Sequence, residues 1–330
     1  MSKKQETDIL VIGGGPAGLM AGVYSARGGK KTVIIEEQMC GGQLLNTQDI
    51  ENMPGYTFIT GTELALEMQK SAEASGAKIV YEKIKHVEFG ILAKHEGEVS
   101  SALLHRVVTN ECEYSAKAVI IATGAGPRRL GVENAEAYDA RGIHYCAHCD
   151  GTFYRDKNVV VVGTGNSAVE DAIYLANLAK HVTVVAKYEK FTAQAVLVEK
   201  LVGLANVTVH YKHGVVKVDG EGGRLNSITV APLESPQQDP LSTDSKNHIK
   251  IDCDGIFVAI GRAPSSDLFK DVLTLNKLGY IRVNEKMETE IPGVYAAGDI
   301  CEKQLRQIVT ACSDGAIATL NASIHVRKFK

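Results

Sequence analysis

The stretch Asp8-Ile9-Leu10-Val11-Ile12-Gly13-Gly14-Gly15-Pro16-Ala17-Gly18 decides the fold. An apolar run of strand length passes directly into G-x-G-x-x-G, and Leu19 to Arg27 then follow a helical pattern. Each glycine has a steric reason: Gly13 permits the tight turn, Gly15 lets a pyrophosphate approach the backbone, and Gly18 lets helix pack on strand. With Pro16 and Ala17 between them, they lead into a helix N-terminus that stabilises phosphate charge. Thr32-Val33-Ile34-Ile35-Glu36 reads as the next strand and ends on a carboxylate, 18 residues beyond Gly18, able to accept hydrogen bonds from ribose hydroxyls.

The pattern returns halfway along the chain. Asn158-Val159-Val160-Val161-Val162 runs into Gly163-Thr164-Gly165-Asn166-Ser167-Ala168, then a helix to about Ala179 and the strand His181 to Val185. Here alanine replaces the last glycine, which the fold tolerates. The repeat continues in Ala118-Val119-Ile120-Ile121-Ala122-Thr123-Gly124-Ala125 and Gly255-Ile256-Phe257-Val258-Ala259-Ile260-Gly261-Arg262, apolar strands closing on small residues. Each reads as a crossing between domains. The expected class is α/β, with two Rossmann-like dinucleotide-binding domains.

The chain has 330 residues, 45% hydrophobic and 23% charged, which suits a globular protein of about two domains. A net charge of −3 without a long basic run gives no electrostatic footprint for nucleic acid or an anionic membrane surface. No run of 18 apolar residues occurs, and Met1 to Asp8 lacks a secretory apolar segment, so a cytoplasmic location is expected. Thr62 to Gly76 reads as an amphipathic helix, Asn206 to Ile256 as β-rich, and Ala231 to Asn247 as a surface hairpin loop.

Seven cysteines (Cys40, Cys112, Cys146, Cys149, Cys253, Cys301 and Cys312) are odd in number and scattered, unlike a secreted disulfide framework. One pair is close: Cys146-Ala147-His148-Cys149-Asp150. Thiols at this spacing cycle between dithiol and disulfide by mixed-disulfide exchange. A zinc site of paired thiols would call for a second C-x-x-C, and none is present, so no metal is expected. Cys40, Cys112 and Cys253 read as small buried hydrophobes.

Taken in order, these residues resemble the low-molecular-weight thioredoxin reductases, FAD-dependent flavoproteins with two dinucleotide domains. Further matching segments are Gly41-Gly42-Gln43-Leu44, Glu51-Asn52-Met53-Pro54-Gly55, Ala122-Thr123-Gly124, C-x-x-C-D-G, and Val294-Tyr295-Ala296-Ala297-Gly298-Asp299 followed by Arg306-Gln307. The resemblance implies a three-layer ββα FAD domain from both chain ends, 1–122 and 261–330, with a domain of residues 123–260 inserted and carrying the C-x-x-C. It also implies a homodimer, and hinges at the two crossings. The FAD contacts it implies are Gly13, Gly15, Pro16, Ala17, Gly18, Glu36, Glu37, Gly42, Gln43, Asn52, Thr123, Gly124, Gly298, Asp299, Arg306, Gln307 and Ile308. Local readings stay open for several: Asp299 as a helix cap, Arg306 as a solvated side chain, Gly42-Gln43 as a turn and Asn52 as a loop cap.

The family chemistry passes electrons from a donor through FAD to Cys146 and Cys149 and on to thioredoxin. In the family the second cysteine, here Cys149, faces the flavin, and the first, Cys146, attacks the partner. Asp150 resembles the family acid/base; the alternative is a turn-forming Asp150-Gly151. His148 either stabilises a thiolate or is a solvent-facing side chain.

One departure concerns the donor. NADPH-dependent members carry a His-Arg-Arg cluster and a later Arg after the second strand of the inserted domain, whose forks neutralise the 2′-phosphate. Here those positions hold Ala186, Lys187, Tyr188 and Thr192, and no carboxylate marks an NADH site either. Gly163, Gly165, Asn166, Ser167, Ala168 and Lys187 remain the candidates for a pyridine nucleotide. Weakened NADPH use, NADH use, or a donor such as ferredoxin or reduced flavin all stay open. So do two other functions: a dithiol oxidase passing electrons to oxygen, and a flavin-binding redox sensor without turnover.

Overall fold

The computed structural model describes residues 3–47, 49–95 and 98–329. Two compact units divide the chain, Met1–Gly126 with Ala263–Lys330, and Pro127–Arg262. The connecting segments Ala125–Pro127 and Arg262–Pro264 pair with one another as a short two-stranded sheet.

In the first unit, β1 (Lys3–Ile12) lies parallel between β2 (Thr32–Glu36) and the strand Cys112–Ile121. Lys78–Tyr81 extends the sheet beyond β2. Cys112–Ile121 divides its pairing along its length. Residues 113–116 pair antiparallel with Glu98–Thr109, itself in a hairpin with Ile84–His95, whereas residues 119–121 pair parallel with Val294–Ala296. Alternate residues of the strands therefore serve two cores. Ile9, Val11, Ile34 and Ile120 pack against α1 (Pro16–Arg27), α2 (Gly61–Ala74) and the C-terminal helix Ile308–Val326, while Leu10, Ile12, Val33, Ile35 and Ile121 pack toward Val87, Val107, Tyr114 and Phe269. A sheet covered on both faces needs unbroken apolar strands, and this is why Ile9 to Ile12 reads as a continuous run. Thr60 and Glu63 form a capping box that starts α2. The C-terminal helix meets α1 backbone to backbone, since a Cβ at Gly315 would lie 2.2 Å from the Ala17 carbonyl oxygen.

The second unit holds a five-stranded parallel sheet in the order Ile143–His144, Gly255–Val258, Asn158–Val162, His181–Ala186, Val207–Tyr211. Its helices include the short α3 (Ala147–Asp150) and α4 (Asn166–Ala176). The helix expected to reach Ala179 ends at Ala176, because Asn177 turns the chain and its side-chain amide bonds the Ile173 carbonyl at 2.9 Å. A separate antiparallel sheet joins His213–Glu221, Arg224–Pro232 and Ile249–Asp252. Two 3-10 turns, Pro240–Ser242 and Ser245–Asn247, lie in the connection between its last two strands. No helix among the described residues is long and apolar enough to cross a membrane.

Candidate active site

Gly13 turns the chain out of β1 with φ 105°. A Cβ there would lie 2.4 Å from the Ala122 carbonyl oxygen, and one at Gly18 would lie 1.9 Å from the Gly13 carbonyl oxygen, so backbone contact excludes any side chain at either position. Gly15 is different. It precedes α1 with Pro16 as the first helical residue, and the nearest atom to a Cβ there is the Gly42 Cα at 3.9 Å. The Gly41 N–H donates to the Gly14 carbonyl at 2.8 Å, which holds the Gly41-Gly42 turn beside the fingerprint.

Glu36 sits at the end of β2 with its carboxylate fixed. Oε2 accepts the Gly14 N–H at 2.7 Å, and Oε1 accepts the Glu37 and Gln38 N–H groups at 2.9 and 3.0 Å. A carboxylate has about four lone-pair sites, so capacity remains for a ribose hydroxyl. Open space at Gly15, α1 amides without intrahelical acceptors, and this oriented acid fit a dinucleotide's phosphates and ribose.

The structure brings several other expected residues to this loop. Gly298, at φ 80°, approaches Ala17 so closely that a Cβ would lie 2.8 Å from the Ala17 Cβ, and its N–H donates to Asp314 Oδ2 at 3.0 Å. Asp314 is in turn ion-paired with Lys303. Asp299 follows in the 3-10 turn Gly298–Ile300. Gln43 Nε2 donates to the Ala125 carbonyl at 2.6 Å, and Thr123 Oγ1 to the Ser265 carbonyl at 2.9 Å, with Gly124 at φ 68° between these segments. Asn52 Nδ2 donates to Gln307 Oε1 at 3.0 Å, and Gln307 caps the helix that Ile308 opens. Arg306 lies with its guanidinium 4.2 Å over the Tyr280 ring and Nη2 donating to the Cys301 carbonyl at 3.3 Å, while Nε is buried with no hydrogen-bond partner among the described residues. Glu37 pairs with Lys83 at 2.8 Å on the exposed edge.

In the second unit, Cys146 and Cys149 are joined as a disulfide across α3. Cys146 precedes the helix, and its Sγ accepts the Cys149 N–H at 3.1 Å. Cys149 and His148 are exposed, Cys146 half-buried. The His148 ring packs on Tyr174 of α4, with centroids 4.1 Å apart. Phe153, 71% exposed, stands four residues beyond Cys149. The Asp150 carboxylate is held by a residue that sequence reasoning missed: Oδ2 lies 2.9 Å from His144 Nδ1, and His144 Nε2 lies 2.7 Å from the Tyr154 hydroxyl.

The second fingerprint repeats the steric design of the first. Gly163 has φ 152°, and a Cβ there would lie 2.3 Å from the Ala259 carbonyl oxygen and 2.7 Å from the Ala168 Cβ. A Cβ at Gly165 would meet nothing within 4 Å. Asn166 and Ser167 are exposed at the start of α4, and Asn166 Oδ1 accepts the Gln194 N–H at 2.9 Å. At the strand end Ala186 is buried, while Lys187, Tyr188 and Lys190 are exposed. The N–H and hydroxyl of Thr192 both donate to the Thr164 carbonyl, at 2.9 and 3.1 Å.

All five remaining cysteines are buried. Burial pushes the thiols of Cys40 and Cys312 up to about 11 and those of Cys253 and Cys301 up to about 12, so these four stay protonated and unreactive near neutral pH. Among the described residues no three His, Cys, Asp or Glu side chains are grouped to hold a metal.

Comparison with known proteins bears on this geometry. Residues 7–315 match the model of the pyridine nucleotide-disulphide oxidoreductase family. The chain is 38% identical over 330 residues to a thioredoxin reductase of Bacillus subtilis, covering 100% of this chain and 98% of the relative. A Lactococcus lactis thioredoxin reductase structure superposes with a TM-score of 0.83 at 32% identity, covering 98% of this chain and 99% of the other. A ferredoxin-flavin thioredoxin reductase from Clostridium acetobutylicum superposes with a TM-score of 0.50 at 27% identity, covering 98% and 99%.

Proposed function

The chain belongs to the thioredoxin reductases of the pyridine nucleotide-disulphide oxidoreductase family, and from that premise we propose how its own residues divide the work. It is a flavoprotein disulfide reductase with a two-domain FAD/NAD(P)-binding fold, and membership implies FAD and a pyridine nucleotide as cofactors and thioredoxin as partner. We assign FAD to the first unit: the α1 amides and Gly15 take its phosphates, Glu36 its ribose, and the Gly298-Asp299 turn with Arg306 completes the cradle. FAD, when bound, supplies the two-electron carrier that reduces the Cys146–Cys149 disulfide. Asp150 holds and moves the proton that accompanies these electrons.

The observation that carries the protein-partner reading is the exposure of Cys149 and Phe153 around the disulfide, because an apolar, accessible rim suits docking of another protein. In the reduced protein the Cys146 thiolate attacks one sulfur of the partner's disulfide, and the other partner sulfur leaves as a thiolate and takes a proton. The Cys149 thiolate then attacks Cys146, releases the partner's first sulfur, and restores the disulfide, so two electrons have moved to the partner. Cys146→Ser and Cys149→Ser should each abolish thioredoxin reduction. Cys149→Ser should trap a mixed disulfide with a thioredoxin lacking its resolving cysteine; trapping by Cys146→Ser alone would reverse the two roles.

The donor reading follows from the second fingerprint. Of the four positions that bind the 2′-phosphate in NADPH-dependent members, only Lys187 is basic, and a lysine offers a point charge where arginine offers a fork. Losing two or three charge-assisted contacts of about 1.5–3 kcal/mol each weakens NADPH by at least about two orders of magnitude. We therefore assign slow flavin reduction by either pyridine nucleotide and a nonstandard donor, with reduced ferredoxin first in line; the ferredoxin-flavin enzyme among the structural relatives supports that choice. We also assign a homodimer through the first unit, supported by exposed Tyr24 on α1 and exposed Leu320 and Ile324 on the C-terminal helix.

A further inference from the structure

His144 lies in the strand Ile143–His144 and is buried, stacked on Phe257 with ring centroids 5.4 Å apart and edge-on to Tyr154 at 5.2 Å. Its two ring nitrogens have different partners, Asp150 Oδ2 at 2.9 Å from Nδ1 and the Tyr154 hydroxyl at 2.7 Å from Nε2. An ionised carboxylate only accepts, so Nδ1 carries a hydrogen. In the neutral ring Nε2 then accepts, and Tyr154 donates. Burial first, and the Asp150 carboxylate second, push the Tyr154 phenol up, with Asp254 and Cys253 acting the same way and Arg224 opposing, so the hydroxyl keeps its proton for this bond. The result is a directed chain, Tyr154 O–H to His144 to Asp150, ending on the carboxylate next to Cys149.

We infer that His144 is a positioning residue for the proton step at the Cys146–Cys149 pair, fixing the Asp150 carboxyl through Oδ2 and giving its proton a second site on the ring. The inference rests on the reading of Asp150 as the acid/base. When Asp150 gives its proton to a sulfur leaving the broken disulfide, the carboxylate that forms is stabilised by the Nδ1–H already aimed at it. When Asp150 regains a proton, the ring can share the charge, because imidazolium Nε2–H can donate to the Tyr154 oxygen once the hydroxyl rotates. Among the described residues no other charged side chain makes a polar contact with the ring.

The test compares wild type, Asp150→Asn, His144→Phe, His144→Asn and Tyr154→Phe. One readout is the pH dependence of alkylation of the reduced Cys146–Cys149 pair by iodoacetamide, which needs no flavin turnover. The other is the anaerobic rate of disulfide reduction after chemical reduction of the FAD. His144→Phe should move the inflection of the alkylation profile by about one pH unit and slow the transfer about tenfold. His144→Asn, which can place an amide N–H near the position of Nδ1 but cannot take a proton, should restore the rate to within about threefold while the altered profile remains. Tyr154→Phe should give a smaller shift of the same sign as His144→Phe. A wild-type profile in both His144 variants overturns the inference; if the phenylalanine variant does not accumulate, a wild-type profile in His144→Asn does so alone. If Asp150→Asn also leaves both readouts at wild-type values, the acid/base reading of Asp150 has failed, whereas an effect confined to Asp150→Asn leaves that reading standing and removes only His144.

Discussion

The two glycine fingerprints obey the same sterics and diverge in chemistry. Gly13 and Gly163 each turn at positive φ against a carbonyl oxygen of the crossing strand, Ala122 in one unit and Ala259 in the other. Either glycine is required by packing alone, whether or not a nucleotide is ever bound. The strand ends carry the difference. The first presents Glu36, its carboxylate oriented by three backbone N–H groups. The second passes from buried Ala186 to exposed Lys187 and Tyr188, and Thr192 is folded back onto the Thr164 carbonyl. A glycine pattern therefore reports a fold, and the residues after the second strand report which ligand the fold serves.

The largest expected effect breaks the shared part of this comparison. Gly13→Ala and Gly163→Ala should each cost at least about 3 kcal/mol, because a positive-φ position acquires a Cβ inside a backbone contact. Urea denaturation should show the two losses to be of similar size, and a stable Gly163→Ala protein would remove the steric explanation for its glycine. Next in size is the paired change at the open glycines. Gly15→Ala should fold normally and lower FAD affinity at least about tenfold, since a Cβ there meets only the Gly42 Cα, at 3.9 Å, and would stand in the space proposed for a phosphate. Gly165→Ala should fold normally with full FAD content and an unchanged rate with the physiological donor. Equal loss of turnover in both variants would show that the second fingerprint serves a nucleotide in every cycle.

The smallest effects separate the units by pH. Burial first, then His325, push His105 down to about 4. Because the unfolded chain binds this proton below about pH 6.5, the first unit should lose stability as pH falls from there to about 4. Asp171 on α4 goes the other way, pushed up to about 7 by burial first and by Glu170 second. Its native carboxyl keeps a proton that the unfolded chain releases above about pH 4, so the second unit should lose stability as pH rises to about 7. Each slope amounts to at most about 3–4 kcal/mol across its window. Hydrogen exchange resolved by segment should show opposite trends in the two units, and Asp171→Asn should flatten the second. Parallel trends would mean that neither group sets its unit's response.

Much of this arrangement was legible because it is local. Strand, turn and helix at Asp8 to Arg27 follow from periodicity and from glycines whose roles depend on neighbours a few residues away. The C-x-x-C was legible for the same reason: a disulfide across one short helix needs only its own spacing. What pattern could not reveal is where separate segments meet. Nothing at His144 marks it as Asp150's partner, since that contact exists only after α3 folds back over the strand end. Arg306 reads as an FAD contact or a solvated side chain, and nothing in the pattern shows that it lies over Tyr280, 26 residues earlier. Thr192 reads as a missing arginine, and its bond to Thr164 appears only when the loop closes.

If, as proposed, the second fingerprint keeps the fold without the 2′-phosphate recognition, electrons reach the flavin from another donor. Anaerobic stopped-flow measurement of flavin bleaching tests it most directly, with NADPH, NADH and reduced ferredoxin each mixed with the purified protein. Slow bleaching without saturation at micromolar NADPH or NADH, and rapid bleaching by reduced ferredoxin, are expected. Saturation by micromolar NADPH at ordinary turnover rates would contradict it and restore a conventional NADPH-dependent reductase.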